Sequence, residues 1–371
     1  MRPPHLYIHV PFCARRCSYC DFAIAVRPQV PVHDYLAGVA IELDRRYPPG
    51  MEWSLDTLYL GGGTPSRLGG DGVARLLDLV RARVQLADGA EVTIEANPED
   101  VSPGSIATWA AAGVNRLSIG AQSFDDRVLT WMHRTHQAED TLRAVDSARA
   151  GGITNISLDL IFALPTALER SWKSDVEAVL ALEPAHVSLY GLTVEPATPL
   201  ARWVSRGDCA EADEAVYEAE FLWAHDVAAA AGYEHYEVSN FARPGARSRH
   251  NSSYWAGVSY AALGPSAHEY DGITRRWNTP EYTAWLRALN AGLDPVAGAE
   301  ELTPENRLAE QTYLELRTSD GARLQSTDES VVGPWIDQGW ARRHAARLTL
   351  TPRGWLRLDT LAADLTYARS R

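Results

Sequence analysis

Three cysteines lie close together near the start of the sequence. The segment CARRCSYC places Cys13, Cys17 and Cys20 in a C-x3-C-x2-C spacing. Thiolates are soft donors that suit an iron–sulfur cluster. Three cysteines leave one iron of a [4Fe–4S] cubane without a protein ligand, so that iron is open to a small chelating molecule. The spacing therefore predicts a [4Fe–4S] cluster that works together with a second cofactor.

A zinc site is the alternative interpretation of this loop. Structural zinc takes four ligands, usually from two pairs of cysteines or histidines. The remaining cysteine, Cys209, is far along the chain and has no paired partner, but His9 is close enough in sequence to complete a site. We interpret Cys209 as a packed or surface thiol.

The composition is that of a globular protein with an acidic charge balance. The 371 residues include 35 Lys and Arg against 48 Asp and Glu, a net charge of −13. Because proteins that follow nucleic acid phosphates carry a basic face, DNA and RNA are not expected partners. No apolar run approaches the ~20 residues that span a bilayer, and the first residues lack a secretory pattern. We expect a cytoplasmic protein with no integral membrane segment, in which thiols stay reduced.

Strands and helices are predicted to alternate from residue 6 to about residue 190. Such alternation implies parallel strands with right-handed crossovers, and six units make a partial barrel. The fold class is therefore α/β, a partial (β/α)6 barrel. The predicted strands are 6–10, 57–61, 91–96, 116–121, 155–162 and 186–192, and the predicted helices are 34–46, 71–83, 103–112, 137–150 and 169–182, with Asp71 and Ser102 as N-caps.

The barrel should place its functional residues at the carboxyl ends of the strands. The polar and glycine-rich segments fall there. The cysteines follow the first strand, GGGTPS (61–66) follows the second, and Glu95 ends the third. Gln122 follows the fourth strand, and Asp159 lies in the fifth.

The pattern changes after the barrel. A long helix is predicted over 211–231, followed by an irregular aromatic stretch. From 304 a helix, a second helix (328–338), a β wing and a closing helix (353–364) predict an α+β, winged-helix-like region. We predict domains at 1–232, 233–300 and 301–371. A cluster-bearing DNA-binding protein is one alternative function, since Arg residues concentrate in the wing, but the surrounding acidity favours a packing or interaction role.

The segment YIHVPFCARRCSYCDF resembles the radical S-adenosylmethionine family that includes oxygen-independent coproporphyrinogen III dehydrogenase and a related group of heme chaperones. The resemblance extends over essentially the whole chain, with several motifs in the same order and spacing. It implies that S-adenosylmethionine chelates the open iron through its amino nitrogen and carboxylate, and that an electron from the cluster can cleave the sulfonium.

The resemblance also implies a role for individual residues around S-adenosylmethionine. Gly62, Gly63 and Thr64 would lie by the methionyl amino group, and Glu95 would lie by the methionyl group. Arg134 would contact the methionyl carboxylate, to which its planar fork is suited. Gln122 and Asp159 would bind the ribose hydroxyls, and Tyr7 matches a further family position. Tyr19, just before the last cysteine, is placed to pack near the cluster.

Three features separate the dehydrogenase from the heme chaperone. The dehydrogenase carries another cysteine two residues after the third, where this sequence has Phe22 after Asp21. The dehydrogenase also carries a long segment before its cysteines, whereas twelve residues precede Cys13 here. Finally, HNSSYW (250–255) matches a signature of the chaperone group. The sequence therefore favours a heme chaperone that delivers heme to acceptor hemoproteins without conventional catalytic turnover, with coproporphyrinogen III dehydrogenase as the alternative.

His250 is the candidate heme ligand. Imidazole is the common proximal donor to heme iron, and Tyr254 and Trp255 could pack against a flat macrocycle. The alternative is an ordinary histidine satisfied by hydrogen bonds beside core aromatic residues. His268 is a weaker second candidate. An electron donor would be a further partner if S-adenosylmethionine is cleaved.

Overall fold

In a computed structural model of the chain, which describes residues 2–48, 50 and 52–370, the main sheet includes seven adjacent parallel strands. Their order is β7-β1-β2-β3-β4-β5-β6, and each adjacent pair is parallel. The strands are β1 (His5–Val10), β2 (Ser54–Gly62), β3 (Gln85–Ala96), β4 (Arg116–Gln122), β5 (Asn155–Phe162), β6 (His186–Gly191) and β7 (Ala261–Leu263). The first six confirm the predicted partial barrel, and β7 adds a strand beside β1.

Helices connect these strands, as the alternating pattern predicts. Ser102 caps its helix by accepting a hydrogen bond from the Ser105 amide, with proline at the first helical position. Asp71 is not a cap, because the helix begins two residues earlier, at Gly69. The α-helices of this region are Val32–Arg46, Gly69–Arg81, Pro103–Ala111, Asp126–Trp131, Ala138–Ala150, Trp172–Ala181 and Pro199–Ser205, and the 3-10 helices are Pro65–Leu68, Pro98–Asp100 and Thr166–Leu168.

The barrel strands present polar side chains to the barrel interior. Side chains alternate between the two faces of a strand, so residues two apart share a face. Hydrogen bonds run between strands on the inner face: Ser157 Oγ lies 2.8 Å from His186 Nδ1, and Ser118 Oγ donates to Asp159 at 3.2 Å. Barrel interiors are usually filled by branched apolar residues. Here the inner face includes His5, Thr57, Thr93, Arg116, Ser157 and His186, all buried.

The chain forms two compact units whose boundaries differ from the three predicted domains. Unit 1 is Met1–Ala212 with Ser259–Glu300, and unit 2 is Asp213–Val258 with Glu301–Arg371. The difference has two causes. The helix Glu214–Ala230 packs with elements of unit 2, and β7 returns to pair with β1. Unit 1 also holds the strand pair Phe12–Cys13 and Ala25–Val26, a three-stranded sheet (His268–Tyr270, Thr274–Asn278, Val296–Glu301) and the helix Tyr282–Asn290.

Unit 2 contains the winged-helix-like elements. The strands Ala341–His344 and Arg347–Leu350 form the hairpin predicted as a wing, and Ala322–Arg323 completes a small sheet. The helices are Glu214–Ala230, Arg249–Trp255, Pro304–Arg317, Glu329–Asp337, Pro352–Trp355 and Leu358–Arg369, and a further hairpin joins Glu234–Glu237 to Asn240–Ala242. Within the described part of the chain, no helix is both long and apolar enough to cross a membrane.

Candidate functional site

The cysteine loop lies over the carboxyl ends of the barrel strands, where it borders a cavity of about 500 Å³. Cys13 ends a short strand that pairs with Ala25–Val26. Farther along the loop, the Ser18 amide donates to the Met132 carbonyl at 3.0 Å, and the Ser18 carbonyl accepts from the Leu200 amide at 2.8 Å. These contacts fix the loop at Cys13 and at Ser18, and all three cysteines border the same cavity.

The three thiols have different neighbours. Cys13 Sγ lies 3.5 Å from Thr64 Oγ1, and the Arg134 guanidinium donates to Cys17 Sγ at 3.6 Å. Burial raises the pKa of the Cys13 thiol, and it raises the pKa of the Cys20 thiol to about 11. Because metals bind the thiolate, cluster binding would release protons from these groups.

The donor set suits a cluster better than a single ion. Among the described residues, no three His, Cys, Asp or Glu side chains lie close enough to share one metal ion. In a cubane, each cysteine binds its own iron, so the sulfurs surround the cluster instead. The nitrogens of His9, the fourth ligand in the zinc alternative, already face protein atoms: Nδ1 lies 3.1 Å from the Tyr7 hydroxyl and Nε2 lies 3.2 Å from the Ala23 carbonyl.

The glycine-rich turn after β2 passes close to other parts of the protein. A Cβ on Gly62, where φ is +113°, would lie 2.6 Å from the His9 ring. A Cβ on Gly63 would lie 2.6 Å from the Pro11 carbonyl. Both positions therefore require glycine for packing, in addition to any role beside a ligand. Gly62, Gly63 and Thr64 all line the cavity.

Two carboxylates form the acidic wall of the cavity. Glu95 accepts hydrogen bonds from the Tyr59 hydroxyl at 2.7 Å and from the Gly62 amide at 3.0 Å. Burial, with a contribution from the nearby Asp159 carboxylate, raises the pKa of Glu95 to about 7. Burial also raises the pKa of Asp159, although serine hydroxyls donate to it. Glu95 therefore changes its charge near neutral pH.

Gln122 and Arg134 complete the set of predicted polar residues that line the cavity. Gln122 lies at a β-bulge, with a left-handed φ of +67°. Arg134 donates to Asn97 Oδ1 at 2.7 Å and to the Gly120 carbonyl at 3.0 Å, in addition to its contact with Cys17. The guanidinium is held in place by these contacts.

The structure separates Tyr7 from the other predicted residues. Seven of the eight positions implied for S-adenosylmethionine line the cavity, and Tyr7 is not among the lining residues. Its ring stacks on Tyr59 at 6.1 Å, and its hydroxyl contacts His9. Tyr7 therefore lies behind the cavity wall.

Other cavity residues were not predicted from the sequence. Asn97 and Ser118 contact Arg134 and Asp159, and each lies close in sequence to a motif residue that was recognised. The apolar side of the cavity includes Phe22, Ile24, Ile161, Tyr190 and Leu192, and Phe22 is 61% exposed. Tyr19 packs against buried apolar side chains that include Val128 and Met132. Its packing near an iron–sulfur cluster stays a prediction.

His250 lies in unit 2, in the helix Arg249–Trp255. Its side chain is 0% exposed, and Nε2 lies 2.8 Å from the Tyr254 hydroxyl. The two rings meet edge to face with centroids 5.0 Å apart. Trp255 lies beneath the guanidinium of Arg317, which pairs with the buried Glu237 carboxylate at 2.8 Å. The described conformation is thus that of an enclosed histidine beside aromatic residues.

His268, the second candidate, lies in unit 1 on the strand His268–Tyr270. It is exposed, and its ring stacks on Trp277 with centroids 5.9 Å apart. The two heme candidates therefore belong to different units, and their environments differ: one imidazole is enclosed and the other faces solvent.

Comparison with known proteins identifies the family. Residues 7–179 match the Radical SAM superfamily. A protein named heme chaperone HemW from Mycobacterium tuberculosis is 38% identical over 370 residues, which cover 98% of this chain and 95% of the relative. HemW from Bacillus subtilis is 34% identical over 322 residues, covering 85% of this chain and 83% of the relative.

A solved structure shares the fold. The coproporphyrinogen III oxidase HemN from Escherichia coli, described as a radical SAM enzyme, superimposes with a TM-score of 0.83 at 21% identity. The match covers 98% of this chain and 90% of that one. The fold is therefore the radical SAM α/β fold, and the identity and coverage of its relatives show that this chain belongs to the HemW family.

Proposed function

We propose that this protein is a heme chaperone, which binds heme and delivers it to acceptor hemoproteins. The observation that carries the proposal is the 38% identity to a protein named heme chaperone HemW over 98% of the chain. Phe22, at the position where the dehydrogenase carries a further cysteine, also supports it. We do not assign conventional catalytic turnover to the protein.

The chaperone would work on a radical SAM scaffold, with a [4Fe–4S] cluster held by Cys13, Cys17 and Cys20. The placement of three soft thiols on one cavity supports this ligand set. When bound, the cluster and S-adenosylmethionine supply one-electron reductive chemistry at the sulfonium, for which an external electron donor is needed. The acceptor hemoprotein and this donor would be the protein partners.

The side chains of the cavity would bind and orient S-adenosylmethionine. Glu95, already fixed by Tyr59 and Gly62, would accept a hydrogen bond from the methionyl amine. Asp159 would accept from the ribose hydroxyls, with Gln122 beside it. Arg134 would face the methionyl carboxylate while its other contacts hold the guanidinium against Cys17.

Heme ligation by His250 is part of the proposal, and it requires a change from the described conformation. The imidazole is enclosed, and its Nε2 faces the Tyr254 hydroxyl. Ligation therefore requires the short helix Arg249–Trp255 to open or rotate. A helix of seven residues can rearrange at modest cost, because it contains few backbone hydrogen bonds of its own.

Hemin titration of the anaerobically reconstituted full-length chain tests the proposal. Wild type should give a saturable Soret band at micromolar hemin, and the bound heme should pass to an apo-hemoprotein on mixing. His250→Ala should weaken binding. His268→Ala tests the second candidate ligand, and His33→Ala, which removes an imidazole whose side chain is 85% exposed, is the matched control. Absence of a Soret shift in the wild type would refute the chaperone assignment. Equal binding by His250→Ala and the wild type would refute only the ligand.

The coproporphyrinogen III dehydrogenase alternative is tested in the same preparation. Wild type, supplied with S-adenosylmethionine and a reductant, should leave coproporphyrinogen III unchanged. Formation of protoporphyrinogen IX at repeated turnover would overturn the chaperone assignment. A positive control with an authentic dehydrogenase shows that the assay can detect the product.

A further inference from the structure

An arginine lies inside the barrel below the candidate cofactor cavity. Arg116 begins β4, and its side chain is 1% exposed. Its Nε and Nη1 atoms are buried and make no hydrogen bond with any residue that the structure describes. A buried cation without hydrogen-bond partners is costly, so it persists where nearby negative charge compensates for it.

The strand register places Arg116 directly below the two carboxylates of the cavity. Arg116 pairs with Thr93 on β3, and Ser118, two residues later on the same face, pairs with Glu95. Two residues of a strand advance by roughly 7 Å, a distance that an extended arginine side chain spans. Ser118 donates to Asp159, which brings this second carboxylate to the same level.

The electrostatics agree with this placement. Burial raises the pKa of both Glu95 and Asp159, and the Arg116 charge acts in the opposite direction on each. Arg116 also lowers the pKa of His186, after burial, which keeps that imidazole neutral. Further titratable groups near the carboxylates include Tyr59, hydrogen-bonded to Glu95, Glu91, which shares the inner face of β3, and Tyr190, which lines the same cavity.

We propose that Arg116 is a positioning residue of the S-adenosylmethionine site: from beneath the cavity, its guanidinium favours the ionised forms of Glu95 and Asp159 against the opposing effect of their burial. In that state, the two side chains can accept hydrogen bonds from the methionyl amine and the ribose. This inference rests on the proposed function, since it assigns the ligand of the cavity. Arg116 itself touches neither the ligand nor the cluster.

The proposal predicts how S-adenosylmethionine affinity depends on pH. Binding requires ionised Glu95, so the affinity should rise as pH increases through about 7 in the wild type. In Arg116→Met the carboxylates lose their compensating charge, so the midpoint of this rise should move to higher pH. With a wild-type midpoint near pH 7, a shift of one unit corresponds to about a fivefold higher Kd at pH 7 and to about a tenfold higher Kd well below that pH.

The test measures S-adenosylmethionine binding to the reconstituted protein by anaerobic calorimetry between pH 6 and 9, with the cluster oxidised so that no cleavage occurs. Arg116→Met should show the shift, and Arg116→Lys should restore most of the wild-type profile. Arg170→Met is the control, because the Arg170 side chain is only 4% exposed but pairs with Asp175 at 3.4 Å instead. Arg170→Met should lower the stability of the protein without changing how S-adenosylmethionine affinity depends on pH.

A combination of variants separates charge compensation from ordinary packing. A Glu95→Gln background should lack the rise in affinity through about pH 7, and adding Arg116→Met there should not restore or shift such a rise. An unchanged profile for folded, cluster-loaded Arg116→Met would overturn the proposal, as would failure of Arg116→Lys to restore it. If the wild type itself binds no S-adenosylmethionine, the result contradicts the proposed function, on which the role of Arg116 rests.

If Arg116→Met alone does not fold, thermal unfolding of combined variants tests whether Arg116 compensates the charges of Glu95 and Asp159. The double variant Glu95→Gln, Asp159→Asn leaves Arg116 as an uncompensated buried charge. Adding Arg116→Met to that double variant should then raise the melting temperature, because it removes this charge. A lower melting temperature would show that Arg116 does not compensate these two carboxylates.

Discussion

The candidate cofactor cavity of unit 1 and the His250 region of unit 2 differ in how accessible their functional side chains are. The cavity is open, lined by thiols and carboxylates, and its side chains point towards space that a ligand could fill. The His250 imidazole is enclosed, with its Nε2 facing Tyr254 and with Trp255 covered by Arg317. The first region already surrounds an open cavity, whereas the proposed heme ligation by His250 would require the second region to rearrange. We therefore expect substitutions to act mainly on affinity in unit 1, and on the opening equilibrium in unit 2.

The largest effect is expected from Cys17→Ala. Loss of one of three thiolate ligands should abolish the brown chromophore and reduce iron content to background after reconstitution. Iron and sulfide analysis with visible absorption measures the result. Cys209→Ala is the matched control, because Cys209 contacts only a neighbouring carbonyl in the described residues. Wild-type iron content in Cys17→Ala would contradict the assignment of the cluster.

Glu95→Gln should weaken S-adenosylmethionine binding by about 10- to 100-fold at pH 8, since hydrogen bonds to charged groups contribute about 1.5–3 kcal/mol. The variant should also lose the rise in affinity through pH 7, because the group that titrates there is removed. Calorimetry at several pH values measures both effects. A pH profile that survives the substitution would identify another titrating group.

Arg317→Ala should destabilise unit 2 by about 2–4 kcal/mol, because it leaves the Glu237 carboxylate buried without its partner. Denaturant unfolding followed by fluorescence measures the loss. Arg343→Ala is the matched control, since Arg343 pairs with Glu329 in an exposed hairpin and should cost less than about 1 kcal/mol. Equal losses of stability in the two variants would show that the buried Arg317–Glu237 pair stabilises the protein no more than an exposed ion pair does.

Tyr254→Phe is expected to give the smallest change, and it tests the opening model directly. Removing the hydroxyl frees His250 Nε2 while keeping the ring, so stability should fall by about 1 kcal/mol. Hemin affinity should increase a few-fold, because ligation no longer breaks that contact. Decreased affinity would indicate that the Tyr254 hydroxyl supports the bound state instead.

The sequence predicted the placement of the cavity residues in unit 1 more closely than the surroundings of His250 in unit 2, for physical reasons. The strand over 155–162 and the polar residues at the strand ends follow from local periodicity, which parallel barrels display clearly. Seven of the eight positions implied for S-adenosylmethionine line one cavity, while Tyr7 lies behind it. Whether Tyr7 lines the cavity depends on the direction of its side chain, which a sequence motif does not specify.

Long-range contacts account for most of what sequence patterns missed. Nothing local marks Arg116 as a buried charge or β7 as a partner of β1, since both depend on residues distant in the chain. The start of β3 was missed because QLADGA is polar and includes Gly89 at a positive φ. The contact between His250 and Tyr254, by contrast, is local, since the two residues lie one helical turn apart.

The return of β7 to β1 has a consequence for synthesis of the chain. The two strands pair in register, Leu6 with Ala261 and Ile8 with Leu263, although roughly 250 residues separate them. At about 5–20 residues per second, β1 emerges from the ribosome about 12–50 seconds before its partner. During that interval one edge of β1 is an unpaired template for strand addition. Unit 1 is therefore completed only after the first segment of unit 2 has been made, and its folding in the cell should depend on protection of that edge.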